Sequence, residues 1–194
     1  MERCYLQFQD ICLKIMSAME IGLQLPANTF VDRCKPASSE LRLNHYPSIS
    51  LEKLAEGKTK RTWAHTDFGI ITLLLQDSVG GLEMEERTRP GTFIPVLPGE
   101  SEGRTEMVVN ISNTFQRWTN NVIRAGIHQV SVPPGLKGAN EGHCPERYSG
   151  IFFFKADRNT SVGPLPEFTT ENRPAAFDEI TALQYQQQMT QVLY

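Results

Sequence analysis

From Phe8 onward the apolar residues Ile11, Cys12, Ile15, Met16, Met19 and Leu23 recur at steps of three and four, while Gln9, Asp10, Lys14 and Ser17 fall elsewhere. A stripe with that period is the buried face of one amphipathic helix, its Met and Ile side chains serving as core packing. Gly22 and Pro26 supply the stop. Asn28 to Ser39 reads as a polar connection.

Past that connection the period shortens to two. Leu41 to Tyr46 alternates long apolar and polar side chains before Pro47, the pattern of a strand that ends at a proline. A charged loop, Glu52 to Arg61, leads into Trp63 to Gly69 and then the apolar run Ile70 to Leu75, a strand by composition or a short buried helix. Gly80-Gly81 and Pro90-Gly91 turn the chain around alternating segments at Leu82 to Glu85 and Thr92 to Leu97. After a flexible stretch from Gly99 to Arg104, strands are expected at Met107 to Ile111, Ala125 to Val132 and Arg147 to Phe154, with Pro133 to Cys144 as a loop. A C-terminal helix is expected from Asp178, whose carboxylate can accept from the free N–H groups of the first turn. Short strands between Gly and Pro turns predict a mainly β fold, a barrel or jelly roll, with a helix at each end.

Composition narrows the partners. With 194 residues and 40% hydrophobic content the chain can build one core, so a single domain over residues 1–194 is expected. A net charge of −3 with scattered Lys and Arg provides no general basic field for nucleic acid. Cys4, Cys12, Cys34 and Cys144 form no CxxC pair and are too sparse for a disulfide-stapled domain, which points to reduced thiols and a cytoplasmic protein. The opening MERCYLQFQD lacks the apolar run of a signal peptide, and no stretch approaches membrane-spanning length, so no membrane partner is expected.

The candidate chemistry lies on the predicted strands. His65 and Asp67, two apart, can point to one side of an extended segment or its end, and a distant strand can bring His128 beside them. Two imidazoles and one carboxylate on one face of a metal, with the other positions open, are the ligand set of non-haem Fe(II) oxygenases. The tripeptide HTD alone is weak evidence, because a lone strand histidine is more often hydrogen-bonded than metallated. Arg147 and Ser149 share a face of the last strand, and a guanidinium fork beside a hydroxyl is a receptor for a carboxylate. That face continues with Ile151 and Phe153, and an arginine on an otherwise apolar face calls for an anion. Asn44 and Tyr46 also share a face, so an amide and a phenol can enter a common cavity, although such a pair is more often a satisfied sheet residue and a half-buried tyrosine.

Taken in order, LRLNHYP, AHTDFGIITLLLQD, GGLEM, VVNISNTFQRWTNN, AGIHQV and PERYSGIFFFKAD closely resemble stretches of the 2-oxoglutarate- and Fe(II)-dependent oxygenases of the isopenicillin N synthase-like class. The likeness runs from residue 4 to 194. It implies a double-stranded β-helix, iron held by His65, Asp67 and His128, and the distal carboxylate of 2-oxoglutarate on Arg147 and Ser149. It also places Asn44 near the metal-side carboxylate, Tyr46 with Arg147 at the distal one, and Phe153 against the substrate. The activity implied is dioxygenase oxidation of a C–H bond in a small organic molecule, with 2-oxoglutarate and O₂ as co-substrates. The motifs look most like fungal members, many of which tailor natural products of secondary metabolism.

Departures from the family pattern accompany the likeness. Ser112-Asn113 stands where relatives usually have Gly-Asp, Gln129 where they commonly have Arg, and Gly150-Ile151 where many have an apolar residue and then proline. None removes a ligand. Relatives also carry a long segment before the first helix, so the chain is expected to be an N-terminally truncated form of the domain: a fragment, an incomplete gene model or one half of an assembly. Sheet edges and apolar surface left uncovered would then favour self-association. The rival expectation is an inactive or partly active jelly-roll remnant serving as a binding or assembly module.

Overall fold

A computed structural model describes residues 1–99 and 106–193, so the stretch expected to be flexible lies, beyond Gly99, outside the described residues. The helices are α1 (Glu2–Gly22), α2 (Leu51–Ala55), α3 (Asn113–Trp118) and α4 (Ala182–Leu193). The strands are β1 (Glu40–Tyr46), β2 (Ile49–Ser50), β3 (Thr62–His65), β4 (Ile71–Gln76), β5 (Leu82–Glu85), β6 (Phe93–Pro95), β7 (Val108–Ile111), β8 (His128–Val130), β9 (His143–Cys144) and β10 (Arg147–Phe154). They form two four-stranded antiparallel sheets, β1-β10-β4-β7 and β3-β8-β5-β6, with β2 and β9 paired as a small ribbon. This is the double-stranded β-helix, or jelly roll, expected from the sequence.

The apolar run after Gly69 becomes the interior strand β4, and its lack of alternation follows from burial on both faces. Ile71 and Leu73, with Phe152 and Phe154 of β10, face out of the roll and meet Cys12 and Met16 of α1 and Phe115 and Trp118 of α3. Each of these large side chains contributes roughly 1.5–3 kcal/mol by leaving water. Leu74 and Ile151 face the other way and join Leu82 and Val130 of the opposite sheet in a smaller core inside the roll. The site occupies the rest of that interior.

Local expectations change, and one is that α2, Leu51–Ala55, occupies the start of the stretch expected to be a charged loop. Helix α1 begins at Glu2 rather than Phe8, which lets Tyr5 reach the ring of Phe152, 5.2 Å between centroids. The connection from Asn28 is not simply polar, since Phe30, Val31 and Cys34 are buried in the main core. Helix α3 follows β7 where no helix was expected, driven by the burial of Thr114, Phe115 and Trp118. The last helix starts at Ala182 rather than Asp178: Thr181 Oγ1 accepts from the Gln184 N–H at 3.2 Å while Gln184 Oε1 accepts from the Thr181 N–H at 2.9 Å. That reciprocal capping box satisfies the first turn, and Asp178 lies outside it. Among the described residues no helix is long and apolar enough to cross a membrane.

Candidate metal centre

Alternation alone would turn His65 outward. Thr62 pairs with Val130 and lines the interior, so the next inward position on β3 would be Ala64. The register shifts between Thr62 and His65, and His65 pairs with His128; three steps on β3 thus answer two on β8. The extra residue is a bulge, and it re-aims His65 into the roll beside His128. Asp67 lies just beyond β3, where its backbone carbonyl accepts from the Asn113 N–H at 2.8 Å. The imidazole rings stand 4.3 Å apart, and one donor atom from each of His65, Asp67 and His128 lies within 4.8 Å of the others.

The surroundings decide which atoms face the centre. His65 Nδ1–H donates to the Trp63 carbonyl at 2.8 Å, and His128 Nδ1–H donates to the Gly126 carbonyl at 3.2 Å. With those protons on Nδ1, both Nε2 lone pairs point to Asp67 Oδ1, at 3.6 and 3.8 Å. The other carboxylate oxygen, Oδ2, accepts from Thr72 Oγ1 at 2.7 Å and Asn110 Nδ2 at 3.4 Å. Ser112 Oγ stands 3.3 Å behind Thr72 Oγ1, which absorbs one departure from the family pattern. Gly126 leaves room for these side chains, since a Cβ on it would meet Asn110 Oδ1 and the Met84 methyl and make them shift.

Burial pushes the Asp67 carboxyl up, but hydrogen bonding with His65, the charge of His128 and the Thr72 hydroxyl together hold it below the usual carboxylate range. His65 is raised, chiefly by its hydrogen bond with Asp67, and His128 is lowered, chiefly by burial. An ionised Asp67 and a neutral His128 are the forms that donate lone pairs to a cation.

The interior forms a cavity of about 200 Å³ that reaches from the triad to Arg147, with Asn44, Tyr46 and Phe153 on its wall. Register explains this grouping: Tyr46 pairs with Arg147 and Asn44 with Ser149, so the four share the inner face of β1 and β10. Arg147 is fully buried. It donates from Nε to the Gly80 carbonyl at 2.8 Å and from Nη2 to Gln76 Oε1 at 3.2 Å, and its guanidinium carbon lies 5.0 Å from the Tyr46 ring centroid. Arg147 Nη1 and Ser149 Oγ are buried with no hydrogen-bond partner among the described residues. A buried cation with an unspent donor, next to an unspent hydroxyl, fits the carboxylate of a bound anion.

All the sequence-predicted site residues are therefore gathered around one interior. Thr72, Asn110, Gln76 and Arg42 also belong to it and were missed. Three of them carried a readable signal: Thr72 and Asn110 are the polar residues inside apolar strands, and Arg42 sits two before Asn44. A second departure, Gln129, donates to buried Glu83 at 2.8 Å, and Lys137 donates to the same carboxylate at 2.5 Å.

Two imidazoles and a carboxylate on the inner wall of a double-stranded β-helix are the donor set of the facial-triad, non-haem iron class. The family model of the 2OG-Fe(II) oxygenase superfamily matches residues 37–156, and the chain belongs to that superfamily. It is 52% identical over its full length to a 2-oxoglutarate-dependent dioxygenase of Penicillium fellutanum, covering 54% of that protein. It is 49% identical over its full length to a 2-oxoglutarate-dependent dioxygenase of Aspergillus flavus, covering 52%. The chain thus spans about half the length of these curated relatives. Among solved structures, a full-length Neurospora crassa protein in complex with alpha-KG superposes with a TM-score of 0.85 at 30% identity, over 99% of this chain and 56% of that one.

Proposed function

We propose that the chain forms the catalytic core of a dioxygenase that holds Fe(II) through His65 Nε2, Asp67 Oδ1 and His128 Nε2 and uses 2-oxoglutarate and O₂ to oxidise a C–H bond of a small organic molecule. The observation that carries this reading is the shared cavity: three metal donors at one end, and at the other a buried arginine with an unspent donor beside Ser149. Bound iron supplies a centre at which oxidative loss of CO₂ from 2-oxoglutarate, giving succinate, is coupled to insertion of the second oxygen atom into the substrate C–H bond.

The chain's own residues do the rest. Arg147 and Ser149 take the distal carboxylate, with Tyr46 packed on the guanidinium, and this fixes the co-substrate's distance from the triad. Asn44, opposite Ser149 on β1, is placed to donate to the metal-side carboxylate. Thr72 and Asn110 hold the carboxylate of Asp67 in one orientation. Leu74, Leu82, Val130 and Ile151 form an apolar wall that keeps water from the reacting atoms.

The fungal relatives support a role in natural-product formation, and buried thiols at Cys12, Cys34 and Cys144 suit a reducing, cytoplasmic setting. No feature of the cavity favours the non-catalytic module. The test is anaerobic reconstitution with Fe(II), followed by O₂ and 2-oxoglutarate. Succinate should form, and should be lost in Asp67→Ala along with bound iron. An Asp67→Ala protein that keeps the iron content and succinate yield of the parent would overturn the assignment.

A further inference from the structure

The inner face of the β1 and β10 pair does not end at the co-substrate receptor. Beyond Tyr46 with Arg147 and Asn44 with Ser149, the register continues to Arg42 with Ile151 and Glu40 with Phe153. Of these outer positions, Glu40, Arg42 and Phe153 line a second cavity of about 310 Å³, bordered by His65 and Asp67 on one side and by Gln186 and Thr190 of α4 on the other. It is at the small end of the range for ligand pockets.

Its polar chemistry is unbalanced. Glu40 Oε1 accepts from Arg42 Nε at 3.1 Å and Nη2 at 2.6 Å, and Glu40 Oε2 accepts from Lys155 Nζ at 3.1 Å. One carboxylate thus holds two cations, leaving one positive charge uncompensated within the group. Burial pushes the Glu40 carboxyl up, but those two partners hold it below the usual range, so the group keeps its charges at neutral pH. Arg42 Nη1 takes no part in these bonds, and the Lys155 ammonium spends a single N–H on Glu40. The Arg42 guanidinium lies 5.2 Å from the Phe153 ring centroid, a cation–π contact that, with Glu40, fixes its position at the mouth. Asp67, the other carboxylate on this cavity, is directed at the two histidines.

We propose that this outer cavity is the substrate pocket and that it selects a small molecule bearing a carboxylate, which Arg42 and Lys155 bind so that the rest of the molecule lies beside Phe153 and against the triad. The proposal rests on the oxygenase reading for the word substrate, but its recognition chemistry is separate from the Arg147 receptor. Arg42 is the specificity residue, and Glu40 positions it.

Saturation-transfer NMR tests this on the full chain loaded with Zn(II), a redox-inert stand-in for iron, and saturating 2-oxoglutarate, so that the inner receptor is filled. The probes are benzoate, benzamide and toluene, which share a ring and differ in the group offered to Arg42. Benzoate should bind about tenfold more tightly than benzamide, and Arg42→Met should weaken benzoate by about tenfold, as loss of a charge-assisted hydrogen bond implies. Lys155→Met should weaken it several-fold, and calorimetry should find 2-oxoglutarate affinity unchanged in that variant. Benzoate binding no tighter than toluene, or as tight to Arg42→Met as to the parent, overturns the proposal. So does a parallel loss of 2-oxoglutarate affinity in Lys155→Met, which would mean that Lys155 acts through the fold. Failure of 2-oxoglutarate to bind the parent overturns the oxygenase reading instead, and the loss of benzoate binding in Lys155→Met, which lies outside the inner receptor, still decides the pocket.

Discussion

Arg147 brings a positive charge to the bottom of the roll, and the neutral acceptors Gly80 O and Gln76 Oε1 engage only part of its fork. Burial lowers its affinity for the proton, yet it remains far from neutral pH in the charged form. A buried guanidinium in this state is stabilised by an anion that accepts from its free edge. Arg147→Lys keeps the charge and loses the planar fork, so 2-oxoglutarate binding should weaken by about 1.5–3 kcal/mol with iron affinity unchanged. Calorimetry of both ligands checks this; equal 2-oxoglutarate affinity in variant and parent would count against the receptor. The triad obeys a similar rule, since its histidine tautomers are set by the carbonyls of Trp63 and Gly126 rather than by any sequence neighbour with a charge.

At the level of elements, α1 is tied to the chain that follows by one carboxylate. Glu20 is buried, and its Oε1 accepts from the N–H groups of Phe30 at 2.6 Å and Val31 at 3.0 Å, while Oε2 accepts from Asn28 N at 2.9 Å. These bonds close the turn that sets Phe30 against Phe115, 4.9 Å between ring centroids, and so link α1 to α3. Glu20→Ala leaves buried N–H groups without acceptors and should cost about 3 kcal/mol or more. Urea denaturation measures it, and a loss well under 1 kcal/mol would show that water replaces the carboxylate.

For the whole molecule, the two sheets each contribute part of the site. His65 and His128 come from the sheet of β3 and β8, whereas Arg147 and Ser149 come from the sheet of β1 and β10. A metal and a dicarboxylate bound together would bridge them, so Zn(II) and 2-oxoglutarate should each raise stability by about 2.7 kcal/mol at a hundredfold excess over its own Kd. Thermal melts with each ligand alone and with both provide the comparison, and no shift with both would refute the bridge. Acid should act through Glu83, which burial pushes up but Lys137, Ser131 and Gln129 together hold below its ordinary value of 4.5. A lowered folded-state value means that its contribution is present above the ordinary value and is lost as pH falls through the folded one. Glu83→Gln should therefore destabilise the protein at pH 7 and flatten the fall in stability below about pH 4.5; parallel pH curves for variant and parent would exclude it.

Much of this was legible in the chain. The period of two in Leu41 to Tyr46 and in Arg147 to Phe154 placed Asn44, Tyr46, Arg147 and Ser149 on shared faces, and β1 and β10 bear that out because side chains on a strand alternate whatever surrounds it. The step of three and four around Cys12 and Met16 predicted α1, because one helical stripe must find a core. Local pattern did not predict α3, which is six residues long and is held by the burial of Phe115 and Trp118 rather than by its own period. Nor could it aim His65, whose direction depends on a bulge against β8, a strand far along the chain. The sequence by itself determined which residues could share a face and which chemistry they carry, since those are properties of neighbours along the backbone. Only the tertiary structure decided that the triad, the Arg147 receptor and the Arg42 mouth open onto one continuous face, because register between distant strands is set by packing both sheets around a common interior.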